Sequence, residues 1–374
     1  MSQLKVNSVV DASGGNTATI NTYTPTESNM GGKNRIINGA MVIDQRNAGA
    51  SVTISDTGNF TFVIDRWNGY GSVTSKFSLQ RNAGSVTPPA GFTNYLGATS
   101  LSAYSVTGSD NFTINQPIEG FNCADLGWGT ANAKTITISF WVRSSLTGTF
   151  GGVVNNSAYN RCYPFTYTIS SANTWEQKSV TIAGDTSGTW ETGNGIGILV
   201  RFSLGAGSTG SGTAGAWTST YYYSATGATS VVGTNGATFY ITGVQLEVGS
   251  VATPFERRDY GRELIMCQRY FETSYDSGTA VPTNTGNGAI WFCPTGTRLV
   301  YSYPFKVTKR ASPTVVFYSP SNSATGNYYN DTGATNVSVG TGGILSTNFL
   351  YMYKLSGATD QSECNGHFSA SSEL

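Results

Sequence analysis

Charge is scarce in this chain. Only 42 of its 374 residues are Asp, Glu, Lys or Arg, and the two signs cancel. That is less than half the share in an ordinary globular domain, roughly 25%. No Lys/Arg-rich run could track a phosphate backbone, so nucleic acid is not expected as a partner. No stretch approaches the roughly 18 consecutive apolar residues of a membrane span, so no membrane insertion is expected. The opening residues, MSQLKVNSVVDASGG, lack a positive cluster followed by an apolar run and do not read as a secretory signal. The five cysteines (123, 162, 267, 293 and 364) are odd in number, far apart and free of any CxxC pair. They read as reduced core residues of a protein made in a cytosol, not as a disulfide framework.

Chemistry-bearing residues are equally sparse. The single histidine, His367, lies in the turn-like ECNGHF, and any Ser-His-Asp or Cys-His arrangement would have to use it. No His/Cys spacing matches a zinc site. Asp44, Asp65 and Glu247 could converge on a structural calcium, but scattered surface carboxylates explain them as well. GTGGI (Gly340 to Ile344) lacks the Lys-Ser/Thr of a phosphate loop and reads as a turn. No catalytic residue, metal site or cofactor is therefore assigned.

What is abundant is Gly (46), Tyr (21) and Phe (18), with Ser and Thr filling most polar positions. Short runs of Thr, β-branched and aromatic residues between glycines are the composition of strands joined by tight turns. In AKTITISFWVRSSLTGTF, Ile136, Ile138 and Phe140 alternate with Thr135, Thr137 and Ser139. TWEQKSVTIAG and GIGILVRFSLG repeat the pattern, and Val244, Leu246 and Val248 share one face of a last strand. Asn-Gly pairs at Asn38, Asn68, Asn194 and Asn235 supply turn residues. Residues 33–255 thus read as an antiparallel jelly-roll sandwich. Residues 1–32, small and polar, form either a disordered tail or an extended arm that orders against a partner.

The stretch Gly243 to Glu272 breaks the composition, with nine charges in thirty residues. Pro254 ends the last strand, and from about Glu256 apolar residues recur at Tyr260, Leu264, Cys267 and Phe271. That spacing predicts a connecting helix over 256–272. Its apolar seam either packs on a neighbouring sheet of the same chain or meets two other copies on a symmetry axis. After Glu272, GAIWFCPTG, RLVYSYPFKV, TVVFYSP and NFLYMYKL read as a second, smaller antiparallel β-domain, 273–374.

The order of these pieces carries a resemblance. NRIINGAMVIDQRNAGAS with DRW shortly after, TITISFWVRSSLTGTF, and FYITGVQLEVGSVATPFERRDYGRELIMCQRYF resemble bacteriophage tail-fibre and virion adhesin proteins. Their central domain is similar to a carbohydrate-binding-module jelly roll. YSYPFKVTKRASPTVVFYSP and the closing FSASSEL resemble the small β-domain that often follows. The resemblance covers about residues 33 to 374. It implies a homotrimeric fibre, made in the host cytoplasm and carried on the virion. Residues 1–32 would anchor it to tail, baseplate or capsid proteins, and its far end would meet a host surface polysaccharide or other receptor. A structural fibre or decoration protein, or a glycan-cleaving spike with a carboxylate pair in a groove, are the competing classes.

Binding through aromatic rings is what the composition supports, since sugar receptors pair flat rings with short polar side chains. Two segments fit. GAWTSTYYYSATG carries Trp217, Tyr221, Tyr222 and Tyr223, which read either as ligand contacts or as interface-covering strand residues. SATGNYYNDTG carries Asn327, Tyr328, Tyr329 and Asn330, whose tyrosines read either as ligand contacts in a loop or as strand residues covering a subunit interface. Trp67, Trp141 and Trp175 fall within strand patterns and read as core.

Overall fold

The computed structural model describes residues 32–374 apart from 56, 293–298, 339–345 and 355–362. The amino-terminal arm, Gly32 excepted, and Cys293 lie outside the described residues.

Two six-stranded sheets face each other. The first runs in the order Val52–Thr53, Phe77–Arg81, Leu96–Ser100, Thr238–Val248, Ile136–Ser144, Glu176–Ile182. The second runs Thr61–Ile64, Trp67–Gly71, Asn111–Glu119, Ile196–Ala206, Gly148–Asn155, Cys162–Ile169. Every pairing within them is antiparallel. The chain is nearly all-β, and this unit is an antiparallel jelly-roll sandwich. Its core is built from the alternation legible in the strands: Ile136, Ile138, Phe140 and Val142 meet Phe112, Ile114, Phe150 and Phe202 between the sheets.

The opposite face of Ile136–Ser144 is also covered, which a simple inside–outside alternation does not anticipate. Thr137 and Ser139 are buried because the chain after the last strand crosses over them. Thr137 Oγ1 donates to the Gly249 carbonyl (2.8 Å) and Thr181 Oγ1 to that of Ser250 (3.1 Å). The last strand carries a bulge between Thr242 and Gln245. Gly243 sits there at φ 60°, and a Cβ on it would fall 2.6 Å from Phe92 Cζ. The Asn-Gly reading needs one correction. Asn68 lies inside the strand Trp67–Gly71, accepting from Asn115 Nδ2 (2.8 Å), and the turn is made earlier, with Arg66 at φ 70°.

The connecting helix, α1, spans Tyr260–Gln268 and starts four residues later than its apolar periodicity suggests. Bonds that hold the chain extended delay it: Glu256 N–H donates to Gln245 Oε1 (2.8 Å) and Arg258 Nη1 to the Ile36 carbonyl (3.0 Å). Asp259 then caps the helix, its Oδ1 accepting from the Arg262 N–H at 2.9 Å. Of the two packings open to the seam, three of its four residues take the one within the chain. Cys267 is wholly buried and packs with Tyr270, Ile37 and Ile43, while Leu264 is half-buried beside them. Phe271 has already entered the strand Phe271–Thr273, its ring 3.7 Å beneath the Arg46 guanidinium carbon. Of the four seam residues only Tyr260 is exposed.

Beyond α1 the strand Cys364–Ser371 organises the second β-unit, pairing with Phe271–Thr273, Ile290–Phe292, Thr314–Tyr318 and Asn327–Asn330. Leu299–Pro304 and Phe349–Lys354 form a separate ribbon. Phe292, Phe305, Tyr328, Leu350 and Phe368 make the core.

Charges concentrate where the two β-units meet. Glu119, buried at the end of its strand, accepts from Arg269 Nε (2.9 Å) and Nη2 (2.6 Å) and from Tyr270 OH (2.5 Å). Burial pushes its carboxyl up, but these hydrogen bonds outweigh burial and hold it below the ordinary carboxylate value. Glu373 accepts from Arg46 (2.6 Å) and from Arg66. Arg310 donates to the carbonyls of Asn194 (2.7 Å), Ser372 (2.8 Å) and Glu373 (2.9 Å).

Candidate functional site

A cleft of about 320 Å³ opens on the outer face of the second sheet, lined by Gly58, Asn59, Phe60, Tyr70, Tyr159, Arg201, Tyr221 and Tyr223. Arg201 projects from the strand Ile196–Ala206 opposite the core residues Val200 and Phe202. It is 2% exposed, and its guanidinium carbon lies 5.2 Å from the Tyr223 ring, 5.5 Å from Tyr221 and 5.7 Å from Tyr159 and Phe60. A guanidinium ringed by π-faces is a stable cation–π arrangement that keeps the surrounding rings at fixed angles. Its Nε has no hydrogen-bond partner among the described residues.

Local structure fixes each ring. Tyr70 comes from the strand Trp67–Gly71 and stacks on Tyr223, centroids 6.4 Å apart and planes 5° from parallel. Tyr159 heads a tight turn at φ 56°, whose base is tied by Asn156 Oδ1 accepting from the N–H groups of Asn160 and Arg161 (both 3.1 Å). Arg161 is itself anchored on Asp185 at 2.6 and 2.7 Å. The segment carrying Tyr221 and Tyr223 is pinned at both ends. Thr218 exchanges two backbone bonds with Cys162 (2.9 Å each), and Ser224–Ala225 pairs in parallel with Ser211–Gly212. Tyr221 sits 4.7 Å from Tyr159 and 4.6 Å from Tyr223, centroid to centroid, and burial pushes its hydroxyl pKa well above the tyrosine range. Five rings, one buried cation and Asn59 therefore converge on one concavity. Such a surface can take the apolar C–H faces of a polyhydroxylated ligand on its rings and hydroxyls on its phenol and amide groups.

The sequence candidates are distributed unevenly over this geometry. Tyr221 and Tyr223 line the cleft; Trp217 and Tyr222 do not. Trp217 packs edge-on against Trp128 (5.3 Å), Trp190 (5.5 Å) and Tyr163 (5.2 Å) and donates its Nε1 to the Ala183 carbonyl (2.7 Å). The Tyr222 ring covers Gly212, where a Cβ would lie 2.3 Å away. The second candidate segment is a strand, Asn327–Asn330, not a loop. Tyr328 is 1% exposed in the core, edge-on to Phe292 at 5.2 Å. Asn330 is buried and accepts from the Gly333 N–H (3.0 Å), and Asn327 Nδ2 donates to the Thr325 carbonyl (2.9 Å). Tyr329, alternating outward, stands in register with Asn365 and, across it, with the half-exposed Trp291. Phe60, Tyr70, Tyr159 and Arg201 are cleft residues that the sequence reading missed. They lie far apart along the chain, and nothing in their local patterns marks them.

The residues weighed for chemistry have structural partners. His367 is buried and stacked on Tyr275 at 3.7 Å, with Nε2 2.8 Å from the Thr285 carbonyl and Nδ1 3.0 Å from Ser274 Oγ. Burial pushes the Cys123 thiol to about 12 and Cys162 to about 11, far from thiolate chemistry. Asp44 accepts from the N–H groups of Arg46, Asn47 and Gly49, Asp65 from Gln45, and Glu247 from Thr253. They serve separate networks, and among the described residues no group of three His, Cys, Asp or Glu could hold a metal ion.

Fold and cleft define the class: a jelly-roll β-sandwich with an aromatic-lined cleft, followed by a second β-unit. No protein-family model and no curated protein sequence matches the chain. Among solved structures, the enzymatically active domain of tailspike protein 4 from bacteriophage CBA120 is similar at 10% identity over 58% of this chain, TM-score 0.30. The match spans 21% of that tailspike chain. A family 11 carbohydrate-binding module from Clostridium thermocellum, in complex with a mixed-linked tetrasaccharide, is similar at 12% identity over 54% of this chain and 98% of its own, TM-score 0.27. A CBM4 structure is similar at 16% identity over 57% and 98%, TM-score 0.28. These likenesses extend no further than general architecture.

Proposed function

We propose that this protein is a virion attachment protein, a phage tail fibre or adhesin, whose jelly roll binds a host cell-surface glycan without cleaving it. The observation that carries the proposal is the convergence of Phe60, Tyr70, Tyr159, Tyr221 and Tyr223 around Arg201 in one 320 Å³ cleft. A part built only for assembly needs no such concavity. No Asp or Glu stands among the described lining residues, whereas glycoside hydrolysis asks for two carboxylates across the scissile bond. In this proposal the fibre is a homotrimer held on the particle through residues 1–32. Repetition of one weak site then gives firm adsorption through effective concentration.

The test is adsorption of labelled full-length protein to candidate host cells and to their extracted polysaccharide. Tyr159→Ala, on an exposed turn, and Tyr221→Ala/Tyr223→Ala should each weaken saturable binding at least tenfold while leaving the melting temperature of the sandwich near wild type. Undiminished binding by both variants would remove the glycan site from this cleft, and no glycan binding by the wild type would replace the adhesin with a structural fibre or decoration protein.

A further inference from the structure

Seven of the nine charges between Gly243 and Glu272 are absorbed into local structure. Glu247 holds Thr253, Glu256 the Asn34 N–H, Arg258 and Glu263 each other, Asp259 the helix start, Arg269 Glu119, and Glu272 Lys309. Arg262 is exposed on α1. Arg257 is different: it is exposed but held in place. Its guanidinium carbon lies 4.7 Å over the Phe92 ring and 5.8 Å from Phe255, and those rings meet edge-on at 5.2 Å. Gly91, at φ 84°, lets the head group come so close that a Cβ there would lie 2.8 Å from Nη2. Among the described residues Arg257 forms no ion pair.

The groove beside it, about 490 Å³, crosses the outer face of the first sheet, on the far side of the sandwich from the tyrosine cleft. Its floor is Trp141 and Gln177, directly opposite each other on neighbouring strands. Phe92 and the segment Ala252 to Phe255 complete its lining. Trp141, expected as core, belongs to no core cluster and is only half-buried. The bulge at Gly243 leaves the space into which Phe92 and Trp141 lean, at 2.6 and 3.2 Å from the missing Cβ. The groove thus combines a flat indole, a primary amide and a fixed guanidinium with free donor capacity.

We propose that this groove is a second saccharide site and that it takes a carboxylate-bearing sugar unit. The sugar ring lies on the Trp141 indole and a hydroxyl meets the Gln177 amide. The carboxylate pairs with Arg257, whose planar fork matches it as a lysine ammonium would not. The site is independent of the tyrosine cleft, so either can fail without the other.

Calorimetric titration of the full chain with trigalacturonate and with sialyllactose, each against its neutral counterpart (galactotriose, lactose), tests it. At least one acidic saccharide should bind tenfold or more tightly than its counterpart, with affinity falling as salt rises. Arg257→Gln should abolish that preference, and Trp141→Ala should remove binding of both forms. Tyr221→Ala/Tyr223→Ala should leave the preference unchanged. If neither acid outcompetes its neutral counterpart, or if Arg257→Gln keeps the preference, the proposal fails.

Discussion

At the scale of single residues, His367 shows how position decides chemistry. Its Nε2 faces a carbonyl, which can only accept, so the neutral ring carries its proton on Nε2 and Nδ1 accepts from Ser274 Oγ–H. Burial lowers its pKa below the ordinary 6.5, against smaller upward effects from the Thr285 carbonyl and Asp276. Between the folded value and about 6.5 the unfolded chain therefore binds more protons, so this contribution to stability is intact above that window and lost as pH falls through it. Melting curves from pH 8 to 5 should show the second β-unit losing stability below about pH 6.5, and His367→Gln should remove that component of the slope. Gly243 is a second such residue. Alanine there meets both a left-handed backbone and Phe92, so Gly243→Ala should destabilise by about 2 kcal/mol in denaturant unfolding. Neither role is visible in sequence. A histidine in ECNGHF and a glycine in a strand become informative only once their neighbours are known.

At the scale of elements, α1 was legible in type, while the partner of its apolar face stayed open between the same chain and other copies. The spacing of Tyr260, Leu264 and Cys267 signals a helix, but periodicity says only that a face is buried, not against what. Asp259→Ala should cost about 1 kcal/mol through the lost cap. Cys267→Asp should lower the melting temperature severely, whereas Ile265→Glu, on the exposed face, should not. Were the seam an intermolecular contact, Cys267→Asp would instead dissociate an oligomer of folded chains, which light scattering would detect. The strand Asn327–Asn330 teaches a related lesson. Its flanking glycines and asparagines suggest a loop, but pairing with Thr335–Ser338 and Cys364–Ser371 turns alternate tyrosines inward and outward. A ladder formed with residues far along the chain outweighs local turn chemistry.

At the scale of the molecule, the charged joint couples the sandwich to the second β-unit. Glu272 and Lys309, both fully buried at 2.5 Å, brace the far side of it. Lys309→Met leaves a buried carboxylate without its partner and should cost roughly 3–5 kcal/mol, whereas pairing it with Glu272→Leu should recover part of that loss. Scanning calorimetry should show the two β-units melting together in the wild type. In Glu119→Ala/Glu373→Ala, which removes both carboxylate anchors, the transition should split into two.

The sequence by itself determined the class of fold, because strand alternation, glycine-rich turns and a shortage of charge are local properties repeated along the chain. It also signalled a change from strand to helix after the sandwich, through Pro254 and the helical apolar period, although the strand ends earlier, at Val248, and the helix begins later, at Tyr260. Only the tertiary structure decided the two candidate clefts. Phe60, Tyr70, Tyr159, Arg201 and Tyr223 come from five separate segments of the fold, as Phe92, Trp141, Gln177 and Arg257 come from four. Sheet order, not sequence distance, brings them together, and it arises from non-local pairing that no short window of sequence contains.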